Sequence, residues 1–174
     1  MNSPNHTKFN ARDIGVITWQ THSYRCALGK MGVIPAEDKQ EGDNKSPLGE
    51  WPMRRVFYRP DRVARPKTQL ATCALTPEMG WCDDIKSPEF YNTLIPLPSP
   101  HRHEKLWRED GVYDIIIELG YNDSPPIIGK GSAIFMHLKR NEYEGTEGCV
   151  ALAKEHLLSL LEEAKPGDVV NISR

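Results

Sequence analysis

The chain has 174 residues, of which 39% are hydrophobic, with 22 basic against 24 acidic side chains and a formal charge of −2. These values describe an ordinary folded domain and exclude a disordered or fibrous chain; they also lack the basic excess that a nucleic-acid backbone or anionic lipid calls for. No apolar run approaches the ~20 residues of a bilayer span, so neither nucleic acid nor membrane is an expected partner. Met1 to Arg12 has no apolar stretch of ~7–15 residues behind a basic start and no small-residue cleavage site. Residues 1–12 are therefore expected to be an N-terminal tail, residues 13–174 one catalytic-sized domain, and the compartment the cytoplasm, or the periplasm if a leader has been removed.

Asp13–Thr18 is β-branched and apolar, Tyr24–Leu28 follows a short polar turn, and Gly29 and Gly32 flank a tight connection into Val33–Ile34, which reads as a β-meander. Pro35 to Pro47 is a charged loop before a further apolar segment near Trp51–Tyr58. Seven prolines between Pro60 and Pro100 argue against regular structure there, apart from a short strand at Leu70–Leu75. Tyr113–Leu119 and Ala133–Leu138 read as buried central strands. From Ala153 the leucines at 157, 158, 160 and 161 recur at helical spacing until Pro166-Gly167, and Asp168–Ile172 is a terminal strand. The expected fold is mainly β, one domain with one clear helix near the C-terminus.

The chemistry concentrates between the last central strand and the helix. His137 ends the strand, and twelve positions later Cys149 follows Gly145-Thr146-Glu147-Gly148. A cysteine nucleophile needs a partner that takes its proton, and imidazole is suited to that. Gly148 gives room beside the sulfur and freedom to turn the chain, so that backbone amides face a developing oxyanion. The bland alternative is a turn whose cysteine packs in the core. Of the other cysteines, Cys26 reads as core and Cys82, beside Asp83 and Asp84, as structural. Cys73, Cys82, His101 and His103 lack the close cysteine pairs of a zinc site, and neither metal nor cofactor is expected.

His137 followed by Thr146-Glu147-Gly148-Cys149-Val150 resembles the signature of the L,D-transpeptidase catalytic domain (YkuD type): a histidine, a spacer, then Ser/Thr-x-Gly-Cys and an apolar residue. The likeness extends over Gly29–Gly32, Glu41–Gly49 and Gly120-Tyr121-Asn122, and covers about Ile14 to Ile172. The resemblance implies that Cys149 attacks the carbonyl before the terminal D-alanine of a peptidoglycan stem tetrapeptide, with His137 as base and then acid. The amides of Gly148 and Cys149 would receive the oxyanion, with Thr146 at the substrate turn. Tyr121 and Asn122 either line a substrate cleft or form a plain turn, and Arg140, beside Lys139, either holds stem carboxylates or is solvated.

Glu147 stands where many members of that family have histidine, and Ala151 where many have Arg or Asn, so the acceptor preference is expected to differ. With the cytoplasmic expectation, this favours an L,D-carboxypeptidase trimming muropeptides in murein recycling. The alternatives are an exported cross-linking transpeptidase and a non-catalytic peptidoglycan-binding domain. The expected partners are peptidoglycan-derived tetrapeptides or muropeptides; the oligomeric state is left open.

Overall fold

The computed structural model describes residues 6–174, so the first five residues of the expected tail lie outside the described residues. The rest of that tail differs from the expectation, because Lys8–Arg12 forms strand β1. Its side chains alternate, with Phe9 and Ala11 fully buried and Lys8 and Arg12 exposed. It lies parallel to β13 (Val169–Ser173) and antiparallel to β2 (Val16–Trp19), which turns back into β3 (His22–Arg25). Two apolar positions in a polar segment carry little local signal; the strand is completed by a partner at the far end of the chain.

The centre of the main sheet is β5 (Ser46–Tyr58), thirteen residues long. Its first half pairs with β4 (Val33–Pro35) and β13, its second half with β6 (Ala71–Ala74) and β10 (Ile115–Leu119). The expected meander thus stops after β3, since β4 crosses to lie parallel to β5. Beyond β10 come β11 (Phe135–Leu138), antiparallel to it, and β12 (Val150–Leu152), parallel to β11. The chain just after β3 then meets β12, with Ala27 and Ala151 exchanging two backbone hydrogen bonds of 2.9 Å. That exchange satisfies an edge which would otherwise expose unpaired amides.

Both faces of this sheet are covered, which is why β10 reads Ile-Ile-Ile without alternation. On one face α1 (Lys154–Glu163) packs Leu157, Leu160 and Leu161 against Phe9, Ile117, Met136, Val150 and Leu152. On the other face Ile116, Phe135 and Cys149 meet Trp81 and Leu106. Trp81 belongs to a three-stranded sheet of β7 (Met79–Cys82), β8 (Leu94–Pro96) and β9 (His103–Lys105), with β7 in the middle. Regular structure was not expected in this proline-rich region. The strands are only three or four residues long, and the prolines fall between them or on the edge strand β8, where a missing N–H costs no ladder bond.

Asn92 fastens the small sheet to the large one. Its side chain accepts from Trp81 Nε1 at 2.9 Å and from the Ala133 amide at 3.0 Å, and donates to the carbonyls of Tyr121 and Asn122. No helix among the described residues is long and apolar enough to cross a membrane.

Candidate active site

Strand periodicity sets the site. In β11, Met136 points to the α1 face, so Phe135 and His137 point to the small sheet; in the adjoining parallel strand Val150 and Leu152 point to α1, so Cys149 and Ala151 point with His137. The two residues singled out by the motif therefore open on one cavity of about 660 Å³ between the sheets. The Cys149 sulfur accepts from the Phe135 amide at 3.4 Å and donates to the Ala133 carbonyl at 3.2 Å. Burial pushes its thiol up to about 12, an effect that the nearby carboxylates of Glu104 and Glu147 reinforce.

His137 hydrogen-bonds the Leu138 carbonyl through Nδ1 at 2.9 Å. A carbonyl only accepts, so Nδ1 carries the proton and Nε2 is the basic nitrogen. Burial brings the imidazole down to about 4, with Arg108 and Arg140 adding to the shift. The resting pair is a neutral thiol and a neutral imidazole that line one cavity. Because the folded value lies below the unfolded one of about 6.5, the unfolded chain takes up this proton first as pH falls. Stability is thus lost between pH 6.5 and about 4, by about 2–3 kcal/mol at pH 4.5. Urea titrations at pH 7 and 4.5 should show wild type losing that much more than His137→Gln, and an equal loss in both would refute the assignment.

The turn that carries the cysteine is built by hydroxyls. Thr146 Oγ1 donates to the Cys149 carbonyl at 2.7 Å and accepts the Gly148 amide at 3.1 Å. The expectation that the Gly148 N–H receives an oxyanion is therefore corrected: with φ at 137°, Gly148 folds its amide back onto Thr146. The backbone donor left for an oxyanion at this turn is that of Cys149. The Thr146 hydroxyl is likewise spent inside the turn, although the residue lines the cavity.

Ser46, fully buried at the start of β5, accepts from the Gly29 amide at 2.9 Å and donates to the Gly148 carbonyl at 2.8 Å. Its role was not singled out in the sequence, where it looks like a loop serine. Ser46→Ala leaves both groups unpaired in a dry site and should cost about 2 kcal/mol, read as a lower urea midpoint at unchanged slope. Cys149-dependent turnover should fall with it, because the carbonyl that loses its partner belongs to the cysteine turn.

Tyr121 and Asn122 do not reach the cavity. The Tyr121 hydroxyl donates to the Lys130 carbonyl at 2.6 Å with its ring edge-on to Trp51. The Asn122 amide group spans its own loop, bonding Ile127 and the Gly131 carbonyl. The plain-turn alternative describes both. Beneath them Lys39, 2% exposed, donates to Asp43 at 2.7 Å and to the Gln40 carbonyl, a buried pair that holds the loop before β5.

Arg140 does line the cavity, half-exposed, with one nitrogen 3.3 Å from Asp110. Arg108 occupies the same carboxylate at 2.5 and 3.0 Å, and its guanidinium holds that acid down at about 2. Two guanidiniums thus share one carboxylate, with Glu104 as a second acid 3.8 Å from Arg108, and Arg140 is the one left half-exposed toward the cavity. The cavity is also lined by Asp83, by Glu104 and by Glu41, which receives the hydroxyls of Tyr91 at 2.5 Å and Ser132 at 2.7 Å. Among the described residues no three His, Cys, Asp or Glu side chains gather as a metal site.

A sequence profile of the YkuD L,D-transpeptidase catalytic domain matches residues 2–172. The chain belongs to that family. No curated protein matches it. Among solved structures it is similar to L,D-transpeptidase 1 of Mycobacterium tuberculosis, at 10% identity and a TM-score of 0.46 over 97% of this chain and 62% of that one. It is also similar to an L,D-transpeptidase from Mycobacterium smegmatis, at 11% identity and a TM-score of 0.42 over 97% of this chain and 59% of that one. The chain spans about three fifths of the length of these two chains.

Proposed function

We propose that the chain is a cysteine-dependent L,D-carboxypeptidase that removes the terminal D-alanine from peptidoglycan stem tetrapeptides. The observation that carries this reading is the neutral imidazole, basic at Nε2, opening with Cys149 on one charged cavity. As the sulfur–carbon bond forms, the thiol proton passes to Nε2. The carbonyl oxygen becomes an oxyanion within reach of the Cys149 amide. Collapse breaks the carbon–nitrogen bond, the D-alanine amine takes the proton from the imidazolium, and a thioester remains. Water then attacks with the same histidine as base, returning the thiol and a tripeptide carboxylate.

A cavity of about 660 Å³ with polar walls suits one stem peptide and its water better than two stems at once, which favours water as acceptor. Its charges of both signs suit a peptide end that carries carboxylates and an amine. We place the activity on soluble muropeptides in the cytoplasm, as a step of murein recycling; in that reducing compartment the four cysteines would be thiols. Incubation with a disaccharide tetrapeptide and with the free tetrapeptide, followed by mass spectrometry, tests this. Tripeptide and D-alanine without dimer are expected; dimer would make the chain a cross-linking enzyme, and binding without product a binding domain.

A further inference from the structure

The acids that line the cavity differ in what already holds them. Asp83 has Arg102 at 3.4 Å, Glu104 has Arg108 at 3.8 Å, and Glu144 and Glu147 are exposed. Glu41 is half-buried and pairs with no lysine, arginine or histidine among the described residues; what it receives are two hydroxyls, from Tyr91 at 2.5 Å and from Ser132 at 2.7 Å, both on Oε2. Tyr91 is 1% exposed and its oxygen accepts the Gly131 amide at 3.1 Å, which leaves the phenol proton to Glu41. The Glu41 amide donates to the Gly129 carbonyl at 2.8 Å. One carboxylate oxygen is thus fixed, and Oε1, without a protein partner among the described residues, is the oxygen available to the cavity.

The segment that fixes Glu41 also meets the cysteine. Ser132 and Ala133 are consecutive; the Ala133 carbonyl accepts the Cys149 thiol at 3.2 Å, and the Ala133 amide donates at 3.0 Å to Asn92, the neighbour of Tyr91. Carboxylate and sulfur are therefore set relative to each other by two adjacent residues. An acceptor whose rotamer is already fixed, and whose charge has no paired cation, gives up little order on binding an organic cation. A peptide residue whose carbonyl lies at the sulfur carries its side chain on the adjoining carbon, and a four-carbon side chain extends its terminal group about 6 Å from there.

We propose that Glu41 is a specificity-determining residue: through Oε1 it binds the ammonium at the end of the side chain of the stem residue whose carbonyl Cys149 attacks. The inference rests on the carboxypeptidase reading and adds to it the side-chain chemistry of the acyl donor. A diamino acid at that position is selected over an apolar residue of the same length.

Affinity is measured by calorimetry at pH 7 in Cys149→Ala, with and without Glu41→Gln, for a tetrapeptide with lysine as its third residue and for the same peptide with norleucine, which lacks only the amine. D-Alanine release from both peptides is followed in parallel with Cys149 intact. Without the Glu41 change, the lysine peptide should bind about tenfold or more tighter than the norleucine peptide. Glu41→Gln keeps an oxygen for the two hydroxyls and turns an NH2 group toward the cavity. It should therefore weaken the lysine peptide about tenfold, leave the norleucine peptide within about twofold, and so abolish the preference.

Equal weakening of both peptides, a lysine preference that survives Glu41→Gln, no preference before it, or no binding of either peptide would each overturn the proposal. Should Glu41→Gln fail to fold, Glu41→Asp, which withdraws the charge by one methylene, should still lower the preference severalfold, and an unchanged preference decides against. A Glu41-dependent preference without D-alanine release would remove the reaction and leave the subsite in place; release without the preference would do the reverse.

Discussion

Cys149→Ala should bring D-alanine release from the tetrapeptide to background, a loss of at least about a thousandfold, while the protein still folds. The sulfur is both the atom proposed to bond to the acyl group and a small piece of the core. Its loss leaves the Phe135 amide and the Ala133 carbonyl without their present partner. One or two unpaired buried groups cost about 1–2 kcal/mol. In a chain of this length, that lowers the melting temperature by about 2–8 °C. Activity lost with a melting shift in that range separates chemistry from collapse. Turnover retained at more than about a tenth of wild type would remove Cys149 from the mechanism.

Gly148→Ala is expected to do comparable damage by a different route. The position has φ at 137°, which side-chain-bearing residues rarely adopt, and an added Cβ would come 2.9 Å from the Lys45 carbonyl oxygen and 3.1 Å from Ile134 Cδ1. The Ile134 methyl can shift, but the Lys45 carbonyl is backbone that leads directly into β5 and cannot. Strain and clash together should cost about 3 kcal/mol and move the cysteine turn by enough to slow turnover about a hundredfold. Gly32→Ala is the control, since Gly32 also has positive φ but nothing within 4 Å. It should pay about 1 kcal/mol of backbone strain alone. Equal melting temperatures for the two variants would mean that the close approach at Gly148 has no energetic weight.

What could be read from the sequence follows the range of the interactions. The leucines of α1 announce themselves by their helical period and the isoleucines of β10 by an unbroken apolar run, each a local signal. His137 and Cys149 were legible because a parallel β11–β12 pair, joined by a short connection, converts a spacing in sequence into a shared face. The three-stranded sheet was not, because strands of three or four residues among prolines have no period to detect, and what secures them is Asn92, a residue that elsewhere marks turns. Glu104 looks like one more surface carboxylate until the fold turns it inward. Tyr121 and Asn122 show the opposite error. A phenol and an amide beside a strand suggest a cleft, but both spend their hydrogen bonds on their own loop.

The pairing of β1 with β13 has a consequence for how the chain is made. Thr7 and Asp168, 161 positions apart, are joined by a hydrogen bond of 2.8 Å, and β13 fills the gap between β5 and β1 in the middle of the sheet. During synthesis from the N-terminus, the strand that unites the two halves leaves the ribosome after every other strand of the sheet. Such distant contacts form slowly. The cysteine turn emerges earlier, so for an interval its sulfur lacks the finished core that leaves it only 6% exposed. A nascent chain is therefore more open to oxidants at Cys149 than the chain with β13 docked, and a pulse of thiol reagent during translation should mark that sulfur faster before β13 has docked than after.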